Sequence, residues 1–432
     1  MAGRSFIILS VFMSILLGKT AAGAEEWDLN RCLDLGLKQN PKVIAAEKGA
    51  QAAKARVVQV QADYYPNVSI ESDYYRSNGT TTSSSASNPI SATSSNNNQY
   101  LLSLGLTQNI YDFGRREYKV QSAQEDLKAF GWDLKDTRLG VIDEIRQGYY
   151  GVLLADRGER VREKELERTQ LFLRQAKGFY QVGLKPRIDV TQAELQLIQA
   201  QKALLKAKND ASVSRVNLQK SLGLDYSTHY TLKDDLEAEQ VQWNLEDLRK
   251  EALVAQPTLN RLRTLVQFWE AQVKVAERDF WPKLAGTAQW GRSSTEIPLI
   301  TYSESWNVGV QLTVPLFSGF ESRAKLDEFR AALGQAKANA RNQELQILST
   351  LESGYLNLIL AGKQIEVARE ALRTARENLD LAEGRYQAGV GTMLEVADAR
   401  VSWIQSENDT IQSFYDYRIA RYGLEKTLGR DL

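Results

Sequence analysis

The chain has one cysteine, Cys32, and one histidine, His229, in 432 residues. A lone cysteine excludes an internal disulfide framework and a multi-cysteine metal site. A lone histidine leaves Ser-His-Asp, Cys-His and histidine-based zinc centres almost without raw material. Catalysis by carboxylates alone stays chemically open, but no motif supports it, and none suggests a cofactor or a metal. Neither sign of charge is in excess, with 54 basic and 54 acidic residues. That balance removes any general bias toward nucleic acid or an anionic surface. Long apolar runs are also missing beyond the first two dozen residues. If the mature chain enters a membrane, it must do so as β-strands, the other structure that satisfies its backbone in lipid.

Residues 1–24 have the pattern of a secretory signal. Arg4 is a short basic start, Phe6 to Leu17 is apolar, and Ala22-Gly23-Ala24 precedes Glu25-Glu26. The competing reading is a membrane anchor, for which the run is short. His229 reads as a surface residue. Cys32 lies well beyond the expected cleavage point, which argues against lipid attachment there.

Two periodicities alternate along the rest. Residues 25–223 open with the amphipathic segment Leu29 to Gln39, the pair Asn40-Pro41, and a helical run from Val43 to about Ala62. Val68, Ile70 and Tyr74 then alternate with polar residues, which is strand spacing. Ser77 to Asn98 is almost wholly Ser, Thr, Asn, Ala and Gly and reads as a mobile polar loop. Leu102, Leu104 and Leu106 restore the alternation. From Gly114-Arg115-Arg116 a helical, heptad-like pattern continues for more than sixty residues, which at 1.5 Å per residue reaches about 100 Å. Its internal glycines, Gly131, Gly140, Gly148, Gly151 and Gly158, suggest close packing against neighbouring helices. It breaks at Val182-Gly183-Leu184 and returns to Gly223. Residues 224–257 read as an irregular connector. Residues 258–432 then repeat the whole order, with the long helices meeting at Ala388-Gly389-Val390.

The repetition holds a fixed register. Asn40-Pro41 matches Gln256-Pro257, and Tyr65-Pro66 matches Trp281-Pro282, both 216 residues apart. From Gly148-Tyr149 and Gly354-Tyr355 onward the spacing is 206, and 15 of 48 positions are identical between 178–225 and 384–431. Helical composition alone would not keep one register through a turn, so the chain is read as a duplication.

Each unit is therefore helix, strand, loop, strand, very long helix, turn and returning helix. The strands have the length and alternation of transmembrane barrel strands. An ordinary half-buried sheet has the same pattern. The signal and the lack of a globular partner for such long helices favour the membrane reading. Four strands cannot close a barrel in lipid. Three copies giving twelve strands form the simplest closed ring, and the helices would continue it as a hollow cylinder.

This order resembles the TolC-type outer-membrane efflux proteins. The residues carrying the resemblance are Asn40-Pro41, Tyr65-Pro66, Asp112-Phe113-Gly114-Arg115-Arg116, Phe317-Ser318-Gly319 and the two Tyr-Gln-x-Gly turns. It covers essentially the whole mature chain. The resemblance implies an α plus transmembrane β-barrel fold: a homotrimeric twelve-stranded β-barrel in outer-membrane lipid, continued by an α-helical barrel through the periplasm of a Gram-negative cell. An equatorial belt would take in residues 224–257. It implies a passive exit duct of a tripartite efflux or type I secretion system, served by a periplasmic adaptor and an inner-membrane pump of RND or ABC type. The cargo would be drugs, metals or proteins.

By the same resemblance, Val182, Gly183, Leu184, Ala388, Gly389 and Val390 would form the periplasmic tip that meets the adaptor. Tyr386, Glu395, Asp398 and Asp189 would surround the pore aperture. Gly391 stands where the resemblance leads one to expect an arginine, which leaves that link of the gate in doubt. Simpler readings stay open at these positions: each glycine as a helix cap, and Glu395 and Asp398 as partners of the dipole of the last helix. An exported adhesive coiled coil is the alternative function. A periplasmic adaptor is disfavoured because only short turns join the helical arms, with no lipoyl-like domain between them. The Arg115-Arg116 pair reads as serving folding or lipid headgroups rather than cargo.

Overall fold

The computed structural model describes residues 26–430 apart from 86–87, 227–229, 238–239 and 296–301. The expected signal and His229 lie outside the described residues.

Strand β1 (Glu26–Trp27) leads into helix α1 (Leu29–Gln39), which starts where Asp28 accepts a hydrogen bond from the Arg31 amide at 2.8 Å. Asn40 closes α1 and opens α2 (Pro41–Gln61): its side chain accepts from the Lys42 amide at 2.8 Å, and Pro41 fills the first helical position, where no amide is needed. Strands β2 (Asn67–Ser85) and β3 (Asn88–Tyr111) follow, then the long helix α3 (Arg115–Gln181) and the returning α4 (Arg187–Leu222). Strand β4 (Thr231–Leu232) pairs in parallel with β1. The second half comprises α5 (Leu245–Ala255), α6 (Pro257–Glu277), β5 (Lys283–Ser294), β6 (Ser303–Thr313), α7 (Glu321–Gln387) and α8 (Met393–Leu428). Lengths repeat with the sequence: α3 and α7 have 67 residues each, and α4 and α8 have 36 each. The duplication therefore extends to every helix boundary, and Gln256-Pro257 repeats the Asn40-Pro41 joint, with Gln256 accepting from the Thr258 amide at 2.8 Å.

Three expectations need correction. Ser77 to Asn98 is not an irregular loop. Its backbone pairs as an antiparallel ladder, from Ser77 opposite Asn97 out to Ser85 opposite Asn88. A ladder satisfies backbone groups whatever the side chains are, and threonine is at home in strands. Second, the connector is not wholly irregular. It contains α5, which is capped by Asn244 and is the second copy of α1. Third, within one protomer close packing accounts for only some of the helix glycines. A Cβ on Gly148 would lie 3.2 Å from Leu218, and one on its counterpart Gly354 would lie 3.3 Å from Leu424, but around Gly131, Gly140, Gly151 and Gly158 there is open space.

The helical core is one continuous cluster. Ile145, Tyr149, Leu218, Leu222, Leu351, Leu424 and Leu428 belong to it. The connector is fastened across its middle. Arg418 donates to the carbonyls of Asp235, Leu236 and Glu237, the Tyr417 hydroxyl accepts from the Val241 amide at 2.8 Å, and Trp27 stacks on Tyr230 with ring centroids 4.8 Å apart.

Candidate functional site

The two ends of the molecule carry different chemistry. At one end β2, β3, β5 and β6 form a single antiparallel sheet in that order. Register places Ile70, Leu104, Trp290 and Trp306 in one row across all four strands, and Val68, Leu106, Ala288 and Val308 in another. The alternate rows are Ser69, Gly105, Gln289, Asn307 and Asn67, Thr107, Thr287, Gly309. One face is thus apolar and the other polar or small. No core covers the apolar face: Val68, Ile70, Leu104, Leu106, Trp306, Val308, Val310 and Leu312 are all exposed. A contiguous exposed patch of this kind marks a surface meant for lipid or protein. β2 and β6 each pair on one side only, so the sheet has two free edges. Among the described residues no helix is long and apolar enough to cross a membrane.

Trp290 and Trp306 lie in the body of the sheet. Trp281 and Tyr111 flank Phe113 at its helix-facing end, with centroid distances of 5.4 and 4.7 Å. The passage from strand to helix is a sharp corner there. Phe113 and Gly114 take consecutive positive φ values of 56° and 90°, and Gly319 and Phe320 do the same in the second copy at 62° and 69°. Phenylalanine rarely adopts this conformation. Arg116 holds the first corner. Its guanidinium donates to Asp63 O at 3.2 Å, Asn109 O at 2.9 Å and Ile110 O at 3.1 Å, lies 3.2 Å from the Asp112 carboxylate, and stacks over Tyr64. Arg115 bridges to Asp279 of the second unit at 2.6 Å. The pair serves folding, and nothing in its sequence neighbourhood signalled such a density of contacts.

At the other end, both helical hairpins turn in the same way. Leu184 N donates to Phe179 O at 2.9 Å and Gly183 N to Tyr180 O at 3.0 Å. Val390 N donates to Arg385 O and Gly389 N to Tyr386 O, both at 3.1 Å. This pair of bonds ends a helix when the residue after the cap is left-handed, and Gly183 and Gly389 have φ of 75° and 81°. Val182, Leu184 and Val390 project their side chains into solvent.

The other expected site residues divide into two groups. Tyr386 and Asp189 are buried together, the tyrosine hydroxyl donating to Asp189 Oδ2 at 3.1 Å. Burial, reinforced by the Asp189 charge, pushes the tyrosine pKa up to about 12, so the hydroxyl remains a donor at physiological pH. Glu395 and Asp398 are exposed on the first turn and a half of α8. Glu395 lies 3.4 Å from Arg385, and its amide is capped by Thr392 Oγ1 at 3.2 Å. Gly391, where an arginine is expected, has no room for a side chain: a Cβ there would lie 2.8 Å from Tyr386 N. The residue that sequence reasoning missed is Lys185. It donates to Gly391 O at 3.1 Å and lies 4.8 Å over the Tyr386 ring. The only sequence signal was its position, 206 residues before Gly391.

A sheet with a bare apolar face, joined end to end with paired antiparallel helical hairpins, is the architecture expected of an outer-membrane channel subunit. The comparisons with known proteins agree. The family model "Outer membrane efflux protein" matches residues 32–224 and 248–430, and the chain belongs to that family. It is an outer-membrane efflux or secretion channel, of a family of channels and not of enzymes. It is 23% identical to the pyoverdine export outer membrane protein OpmQ of Pseudomonas aeruginosa, over 77% of this chain and 70% of that one. It is 21% identical to the outer membrane protein TolC of Escherichia coli, over 96% and 86%. The crystal structure of the Campylobacter jejuni CmeC outer membrane channel superposes with a TM-score of 0.81 at 20% identity, covering 93% of this chain and 85% of that one.

Proposed function

We propose that three copies assemble into one tube, with twelve strands closing a barrel in the outer membrane and the helices forming a periplasmic conduit about 100 Å long. In this reading the protein is a passive duct that docks onto a periplasmic adaptor and an inner-membrane pump. The observation that carries it is the exposed apolar sheet face with two free edges, because neither survives alone in water or in lipid.

The internal repeat supports assembly independently. Inside the protomer α3 packs on α8. The 206-residue spacing maps that contact onto α7 of one copy and α4 of the next. Buried residues of the internal joint accordingly correspond to exposed apolar ones on those two helices. Val161 is 3% exposed and its counterpart Val367 70%; Ile404 is 7% and Ile198 62%; Ile411 is 9% and Leu205 70%. These exposed seams are expected to meet. The purified protein should be a detergent-requiring trimer by light scattering and should conduct ions in planar bilayers. A water-soluble, non-conducting monomer overturns the reading.

The exposed Val182, Leu184 and Val390 around the two turn glycines are the surface offered to the adaptor. Gly389→Val forces a β-branched residue into a left-handed position. Export in cells should fall sharply while trimers still form. Unchanged export would remove adaptor docking from this turn. A duct of this kind need not recognise cargo itself, because the pump does the selecting.

A further inference from the structure

The apolar face of the sheet has two charged limits. Away from the helices, its first charged row on β5 and β6 is Arg292 with Glu304, 3.6 Å apart. Leu284 to Arg292 is eight residues, about 26 Å along the strand. At a barrel tilt of about 40° that gives about 20 Å of uncharged height, close to the lipid-facing band of an outer-membrane barrel. The other limit lies at the helix-facing end. Tyr111 pairs with Leu284, in the row of Leu312, so its ring continues the apolar face, and Phe113 and Trp281 extend it as an aromatic row. Arg278, in the short turn Arg278–Phe280 between α6 and β5, stands at the end of that row. Its guanidinium lies 5.2 Å over the Trp281 ring and 5.7 Å over that of Tyr118.

This guanidinium makes no hydrogen bond and no ion pair among the described residues, and its Nε is enclosed without a partner. The acids on either side of it in sequence are already taken. Glu277 accepts from Lys274 at 3.0 Å and lies 3.8 Å from Arg330. Asp279 is held by Arg115 at 2.6 Å and by Lys325 at 3.2 Å. Two carboxylates thus serve four other cations, and Arg278 is left over. The internal repeat shows that folding does not require it. Arg278 corresponds to Ala62 at the 216-residue spacing, and Tyr118 to Ala324 at the 206-residue spacing. The turn Ala62–Tyr64 has the same form as Arg278–Phe280 with no arginine in it. The second unit has therefore added a cation, and the ring of Tyr118 beneath it, at a corner that closes equally well without them.

On the barrel reading above, we propose that Arg278 binds the phosphate of a phospholipid in the inner leaflet of the outer membrane, one lipid per copy. A guanidinium offers five donors in a planar fork that suits phosphate oxygens. Trp281 and Tyr118 hold that fork at the level where the apolar face ends, which is the level of the headgroups. The acyl chains would then run along Tyr111 and Leu284. An anionic lipid is preferred, because the adjoining acids are already paired and leave an excess of positive charge. The repeat sets the number: three such sites in a trimer and not six, since Ala62 and Ala324 leave the related corner without the cation and without the ring.

The test compares the parent with Arg278→Gln. Each is first checked for trimer formation by light scattering and for conductance in bilayers, which tests the duct itself. Dioleoylphosphatidylglycerol is then titrated into the delipidated protein and bound lipids are counted by native mass spectrometry. The parent should hold three tightly, and Arg278→Gln should bind them about tenfold more weakly, the usual effect of losing a charge-assisted hydrogen bond. Dioleoylglycerol, with the same chains and no phosphate, should bind the parent as weakly as phosphatidylglycerol binds the variant. Inorganic phosphate in large excess should not displace the lipid. In protein already shown to be trimeric and conducting, equal affinity of the parent and Arg278→Gln for phosphatidylglycerol overturns the inference. So does equal binding of phosphatidylglycerol and dioleoylglycerol by the parent, a comparison that stands even if the variant does not assemble. Displacement by inorganic phosphate would make this a site for free anions and overturn its assignment to lipid.

Discussion

Arg116→Ala should destabilise the protein by about 3–5 kcal/mol, the usual cost of stripping one partner from a buried ion pair. The guanidinium is almost wholly enclosed, and so is the Asp112 carboxylate beside it. Removing the arginine leaves that carboxylate without its countercharge and takes a donor from three carbonyls, on Asp63, Asn109 and Ile110, of which Asn109 keeps its bond from Gln108. These carbonyls belong to the end of β3 and to the turn after α2, so one side chain fixes where the sheet meets the helices. It does so next to Phe113, whose positive φ needs support from its surroundings. The expected outcome is a large fall in the thermal midpoint of the detergent-solubilised protein. The double variant Arg116→Met, Asp112→Leu removes both charges together and should recover most of the loss. A single variant that melts like the parent, or a double variant no better than the single, would show that the corner is held by something else.

This corner shows where sequence reading stops. Asp112-Phe113-Gly114-Arg115-Arg116 was visible as a motif because glycine and charge interrupt an apolar alternation. Which arginine is buried depends on a carbonyl 53 residues away, and periodicity carries no information about that. Other joints were more legible because they are local. Asn40-Pro41 announces a helix stop and start in two residues. Its relation to Gly223 is spatial: Gly223 has φ of 71°, and a Cβ on it would lie 2.8 Å from Gln39 O, so the end of α4 rests directly on that joint. Gly429 repeats the arrangement against Ala255 O at 2.9 Å. Gly223 was evident in the sequence as the end of the returning helix, and its reason needed coordinates.

Composition misled where it stood in for backbone geometry. The polar stretch after Ser77 correctly suggested that no core forms there, but a hairpin needs none if its ladder is paired. The candidate site divides along the same line. The turns and their glycines were readable from spacing, and the acidic residues after them were singled out by the family resemblance. The Tyr386–Asp189 bond and the Lys185 clamp join residues 197 and 206 positions apart and became visible only when the two copies were brought side by side.

At the mouth, Asp398→Asn should reduce cation selectivity more than Glu395→Gln. The family resemblance makes the two acids look equivalent, but the structure distinguishes them. Glu395 stands 3.4 Å from Arg385, so each copy contributes nearly cancelling charges at that level. Asp398 is exposed one turn further along α8 and has no cationic partner among the described residues. In the proposed trimer, three uncompensated carboxylates would set the field there, while Glu395 and Arg385 would act as three compact dipoles whose influence falls away faster with distance. Reversal potentials across a salt gradient in planar bilayers measure the difference. The cation-to-anion permeability ratio should fall by roughly threefold for Asp398→Asn at low salt and change little for Glu395→Gln. Arg385→Gln, which uncovers the Glu395 charge, should raise the ratio. All three effects should shrink toward 1 M salt, where the screening length drops to about 3 Å. Equal effects for the two acids would mean that the Glu395–Arg385 pair does not persist in the assembled mouth. No effect from either would place both acids away from the ion path.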